Sequence, residues 1–188
     1  MAGITDSLFR QICKEFGADV IYSEMASASA LFFHFRNKNT FGKKFSKNRN
    51  FKGVKTEKTL KLVEYEKSES PYVVQLFGKN PEHFARAAQI VAMKIKPQGI
   101  DINFGCPAPK VFRTGAGSAL MLDKKLSKKI IKTVCENTHL PVSLKIRSGI
   151  RNTNAFDFID YLKDLPFSAV MIHGRRYEDG FSGPVDFE

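Results

Sequence analysis

A cysteine held between prolines at the end of an apolar strand is the arrangement with the most chemistry in this sequence. It lies in Gly99 to Leu122, GIDINFGCPAPKVFRTGAGSALML. Ile100 and Ile102 alternate with Asp101 and Asn103, the period of a strand, and Gly105, Pro107, Pro109 and Gly115 then forbid regular structure. The thiol of Cys106 is thereby placed at the C-terminal end of a strand, where barrels and open sheets of alternating strands and helices collect their reacting groups. A free cysteine can also simply pack as a small apolar group. Asn103 and Lys110 bracket this one with polar groups that packing does not need, and Gly115 and Gly117 allow backbone to approach a ligand closely.

The elements that must carry this loop follow from apolar periodicity and helix caps. Thr5 or Asp6 caps a helix with Leu8, Ile12 and Phe16 on one face, ended by Gly17. Asp19 to Met25 reads as a strand and Tyr72 to Phe77 as a compact apolar one. Asn80 and Pro81 open a helix to about Lys94, with Phe84, Ala88, Val91 and Ile95 at helical spacing. Leu126, Ile130 and Val134 mark another helix, Pro141 to Arg147 a strand, Asn154 to Lys163 a helix and Ala169 to His173 a strand. Short apolar strands alternating with amphipathic helices specify an α/β fold of parallel strands with right-handed crossovers. The pattern alone fits either an open doubly wound sheet or a closed barrel.

Composition narrows the class. The chain has 188 residues, 43% of them hydrophobic, enough for one sizeable core. No apolar run suits a membrane span, and the N-terminus lacks a signal-peptide pattern. Cys13, Cys106 and Cys135 are too few and scattered for a disulfide framework or a metal cluster, which fits a reducing cytoplasm and no bound metal. The net charge is +11, and ten Lys or Arg against Glu57 alone between Arg36 and Lys61 supply +9 of it. Phe41, Phe45 and Phe51 are interleaved there without a sustained apolar period. The segment reads as a basic insertion at about residues 31–61, either a solvated surface loop or a contact for phosphates and unpaired bases.

The residues Asn103-Phe104-Gly105-Cys106-Pro107, then Lys110 and Gly115-Ala116-Gly117-Ser118-Ala119-Leu120, closely resemble the signature loop of the tRNA-dihydrouridine synthases. Met1-Ala2-Gly3-Ile4-Thr5-Asp6 with Phe9-Arg10 resembles the family's first strand-to-helix turn, and Ser23-Glu24-Met25 the end of its second strand. Gln75-Leu76-Phe77-Gly78, Leu144-Lys145-Ile146-Arg147-Ser148-Gly149 and Ile172-His173-Gly174-Arg175 are similar to its third, fifth and sixth strand ends.

The resemblance implies a (β/α)8 TIM barrel, incomplete here, with about strands 2 to 6 present in a partial FMN-binding catalytic domain over residues 1–188. The seventh and eighth strands, whose loops grip phosphate in such barrels, and the C-terminal helical tRNA-binding domain would lie outside the chain. It also implies reduction of uridine to dihydrouridine in tRNA by a monomeric enzyme that takes electrons from NADPH or NADH. Reduced flavin would deliver hydride to C6 and Cys106 a proton to C5. Met1, Ala2, Gln75, Asn103, Lys145 and His173 are the implied cofactor contacts. Lys110, Arg147 and Arg175 are the implied substrate contacts, although Arg147 and Arg175 could instead cap strand ends; Lys43, Lys44, Lys47 and Arg49 join them on charge alone if the basic segment is a phosphate contact rather than a solvated loop. Two other classes fit parts of the pattern: a flavin barrel of the dihydroorotate dehydrogenase kind, and a noncatalytic RNA-binding remnant.

Overall fold

A computed structural model describes residues 3–37 and 56–185. Met1, Ala2, Lys43, Lys44, Lys47 and Arg49 lie outside the described residues, as does the middle of the basic insertion.

Asp6 caps α1 (Ser7–Glu15) by accepting from the Phe9 amide. The helix is tied down by its polar side. Arg10 is buried against Glu69, which Ser7 also reaches, and its guanidinium donates to the Thr5 and Glu64 carbonyls. The apolar face read from the sequence, Leu8, Ile12 and Phe16, is exposed instead.

Strands β1 (Ile21–Tyr22) and β2 (Ala26–Ser27) replace the single strand expected over Asp19 to Met25. The interruption has a tertiary cause: the Gln75 amide, which an unbroken ladder would bond to a carbonyl, donates to Ser23 Oγ at 2.9 Å. Both short strands pair in parallel with β3 (Tyr72–Phe77). α2 (Ala28–Asn37) and α3 (Thr56–Lys61) occupy the two ends of the segment read as a basic loop from about residue 31 to 61. That boundary is corrected. Leu31 and His34 are buried, and their burial makes the first turns helical despite the cations that follow.

Asn80 caps α4 (Pro81–Ile90), which widens into a π-turn over Val91–Ile95 and ends at Lys96 in the left-handed region. β4 (Gly99–Phe104) runs into the cysteine loop, then the short α5 (Pro109–Phe112) and a 3-10 turn over Gly117–Leu122. α6 (Lys124–Glu136), β5 (Val142–Arg147), a small hairpin of β6 (Gly149–Ile150) and β7 (Thr153–Asn154), α7 (Ala155–Leu162) and β8 (Ala169–His173) complete the order.

The sheet runs β1-β3-β4-β5-β8, all parallel and in chain order, and curls into a half-barrel with helices outside. Among the described residues β1 and β8 have no strand on their outer edges. Alternation assigns the two faces. Leu76, Ile102, Leu144 and Val170 are partners in one row, and Val74, Leu76, Ile100, Ile102, Leu144 and Ile146 are wholly buried with Phe84, Ala88, Val91, Ile130, Val134 and Phe158. The intervening residues point into the barrel.

Candidate functional site

The inward face carries a group of polar side chains on β3, β4 and β5. Gln75, Asp101, Ser143 and Ala169 are partners across β3, β4, β5 and β8, and Asn103, Lys145 and Met171 form the row toward the C-terminal ends. Arg147 and His173 make the last row. Because inward positions recur every second residue, strand registers alone bring Gln75, Asn103, Lys145 and His173 onto one surface at the mouth.

These side chains are held rather than loose. Asn103, 6% exposed, accepts from the amides of Gly105 and Cys106 through Oδ1, at 3.1 and 2.9 Å. Its Nδ2 donates to Gln75 Oε1 at 2.9 Å. Gln75 Nε2 donates to Asp101 Oδ2 at 2.7 Å, and Ser143 Oγ donates to Asp101 Oδ1 at 2.6 Å. Asp101 is wholly buried, and that desolvation pushes its carboxyl up to about 6 despite bonds from Ser143 and Gln75 and the charge of Lys145. Burial likewise lowers the Lys145 ammonium, with Asp101 opposing and Arg147 adding to the shift. Lys145 makes no hydrogen bond to any described residue. Partial burial and then the cations of Arg147, Lys145 and Arg175 lower His173, which favours a neutral ring able both to donate and to accept at neutral pH.

The thiol loop is pinned from its other side as well. The Cys106 carbonyl accepts from the Ser118 amide at 3.1 Å and from Ser118 Oγ at 2.8 Å. Gly117 has φ +62°, and a Cβ there would stand 2.8 Å from the Cys106 carbonyl oxygen and 3.0 Å from its Cβ. The sequence reading gave Gly115 and Gly117 to close approach of a ligand; at Gly117 the close neighbour is Cys106 itself.

Arg147 is 1% exposed and donates to the carbonyls of Gly105, Arg176 and Gly180. Its Nε and Nη1 groups tie the cysteine loop to the segment after β8. Arg175 donates to the Gly183 carbonyl and lies 3.4 Å from His173 Nε2. Lys110 is exposed on α5, beside the thiol loop and free of described partners. Sequence reasoning gave no role to Asp101, Ser143 or Ser118. The signal for Asp101 was in view, since it shares the alternation that places Asn103 inward.

Glu24 was likewise passed over. Its carboxylate accepts from the amides of Gly3, Ile4 and Thr5 at 2.9 to 3.0 Å, tying the N-terminal turn to the mouth. Among the described residues no group of three or more His, Cys, Asp or Glu could hold a metal ion, and no helix is long and apolar enough to cross a membrane.

Comparison with known proteins converges on one group. A family model described as dihydrouridine synthase matches residues 1–188. A probable tRNA-dihydrouridine synthase of Aquifex aeolicus is 34% identical over 186 residues, covering 97% of this chain and 52% of the relative. tRNA-dihydrouridine synthase B of Pasteurella multocida is 34% identical over 190 residues, covering 100% and 51%, and a probable tRNA-dihydrouridine synthase of Helicobacter pylori is 32% identical, covering 100% and 52%. The chain thus spans about half the length of these curated relatives.

Proposed function

Because the chain belongs to the dihydrouridine synthase family, we propose that its protein reduces uridine to dihydrouridine in tRNA, with FMN as cofactor, NADPH or NADH as electron source and Cys106 as proton donor. One observation carries the reading: four polar side chains and the thiol loop converge on the inward face at the C-terminal end of the parallel strands.

The residues present fit a flavin ring. Its polar edge needs donors and a cation, and the mouth supplies the half-buried Lys145 without a described hydrogen-bond partner, the amides of Gln75 and Asn103, and a neutral His173. When bound, a reduced flavin supplies the hydride that no side chain can provide. This chain's residues do the remainder. Lys145 stabilises negative charge at the ring's edge. Asn103 holds the backbone of the thiol loop, and the Cys106 thiol delivers its proton to C5. The substrate uridine must leave its stack to reach the mouth, which favours bases in loops where unstacking costs least.

Lys110, Arg175 and the basic insertion with Lys43, Lys44, Lys47 and Arg49 are the proposed phosphate contacts. Neutralising those four together should weaken binding of cognate and noncognate tRNA alike and flatten its salt dependence by close to one unit of slope per lost contact.

Absorbance of the purified protein, followed by a uridine-reduction assay on unmodified tRNA with each nicotinamide cofactor, tests the reading. A flavin spectrum with dihydrouridine formation is the expected result. A colourless protein that still retards tRNA on a gel would instead establish a noncatalytic RNA-binding role.

A further inference from the structure

A side-chain amide can point either way, because its oxygen and nitrogen arms are nearly the same shape. Two such amides, Gln75 and Asn103, lie in series across β3 and β4, and groups of fixed polarity stand at both ends of the series. At the inner end Asp101, when ionised, can only accept. At the outer end the backbone amides of Gly105 and Cys106 can only donate. The orientation that satisfies both ends has Asp101 receiving from Gln75 Nε2, Gln75 Oε1 receiving from Asn103 Nδ2, and Asn103 Oδ1 receiving from the two loop amides.

We propose that Asp101 is the positioning residue of the thiol loop: it polarises a hydrogen-bond chain through Gln75 and Asn103 that fixes the Cys106 backbone at the barrel mouth. Removing the acceptor leaves Gln75 Nε2 without its partner and frees that side chain to rotate. Asn103 then loses Oε1 as its anchor, and the loop amides lose a rigid acceptor. Ser143 holds the other carboxylate oxygen, so Asp101 cannot swing away from Gln75. The buried acid's raised pKa is the desolvation cost of keeping an acceptor in the sheet interior, where an apolar residue would pack at less cost.

The inference gains its catalytic meaning from the reading of Cys106 as proton donor, but its geometry and its test require neither flavin nor tRNA. Amide resonances of Gly105 and Cys106 in proton–nitrogen correlation spectra report the loop's hydrogen bonds, and the rate of Cys106 alkylation by iodoacetamide reports its posture. Cys13 and Cys135 serve as internal references.

Asp101→Leu removes the acceptor and Gln75→Met breaks the chain midway at a half-buried position that disturbs packing less. Both should move the two amide protons upfield and raise Cys106 alkylation several-fold relative to the references. Asp101→Asn, which can still accept from Gln75 while donating to Ser143 Oγ, should keep the wild-type signals. Unmoved resonances in Gln75→Met overturn the proposal even if Asp101→Leu fails to fold. So does an Asp101→Asn variant as perturbed as Asp101→Leu, because burial of a charge and not the direction of the chain would then be what matters. A wild-type protein that shows no flavin spectrum while its variants give the expected amide response would count against the functional reading alone.

Discussion

Neighbouring residues on the central strands live under opposite rules. On the helix side of β4, Ile100 and Ile102 are wholly buried among apolar side chains; on the barrel side, Asp101 and Asn103 are almost as buried and satisfied only by hydrogen bonds. The first face contributes stability through area removed from water, roughly 25 cal/mol per Å². The second holds groups that cost free energy to bury and are kept for what they orient. One strand therefore serves as both scaffold and site, divided by the two-residue period.

Substitutions should separate the faces sharply. The largest effect is expected at Cys106. Changing it to Ala should lower uridine reduction about a hundredfold to ten-thousandfold, with flavin content and thermal stability nearly unchanged, and steady-state assays beside a melting curve would show near-normal turnover if the thiol has no role. Next comes the helix side. Ile102→Ala should cost about 2–5 kcal/mol through lost transfer energy and a residual cavity, read by denaturant titration, and a cost no larger than that of an exposed residue would contradict the packing.

Asp101 gives a pH signature. Its folded-state pKa, about 6, lies above the ordinary 3.8, so the folded form holds the extra proton between those values. Asp101 therefore favours folding most below pH 4, and stability from this group falls as pH rises toward 6, by at most about 3 kcal/mol. Denaturation midpoints of wild type and Asp101→Asn across that range should diverge in slope; parallel curves would remove the acid from the balance.

The smallest change distinguishes cost from use. Lys145→Met replaces a cation that burial disfavours, so stability should hold or rise by up to about 1 kcal/mol while flavin retention falls. A variant that keeps its flavin would detach Lys145 from the ring.

Much of this division could be read from the chain. The alternation Ile100-Asp101-Ile102-Asn103 announces two faces, and Asp6 and Asn80 announce helix starts that their side chains indeed cap. Other features had no local signal. Ser23 Oγ takes a ladder bond from Gln75, so the first strand is split by a contact 52 residues away. α2 extends into a segment whose cations suggest a loop, because Leu31 and His34 find a core that the window around them does not contain. The exposed face of α1 looks in sequence like any packed amphipathic helix.

The amino-acid sequence by itself determined the alternation of the main parallel strands and their helices, the placement of a thiol at a strand end and the family, because periodicity, caps and motif residues act over a few neighbours. Only the tertiary structure decided which polar residues speak to one another. Asp101 meets Gln75 and Ser143 across separations of 26 and 42 residues, and the direction of the amides, the shift of the acid and the holding of the Cys106 loop all follow from that meeting. Hydrogen-bond polarity and desolvation belong to partners, and parallel strands find their partners only when the sheet closes.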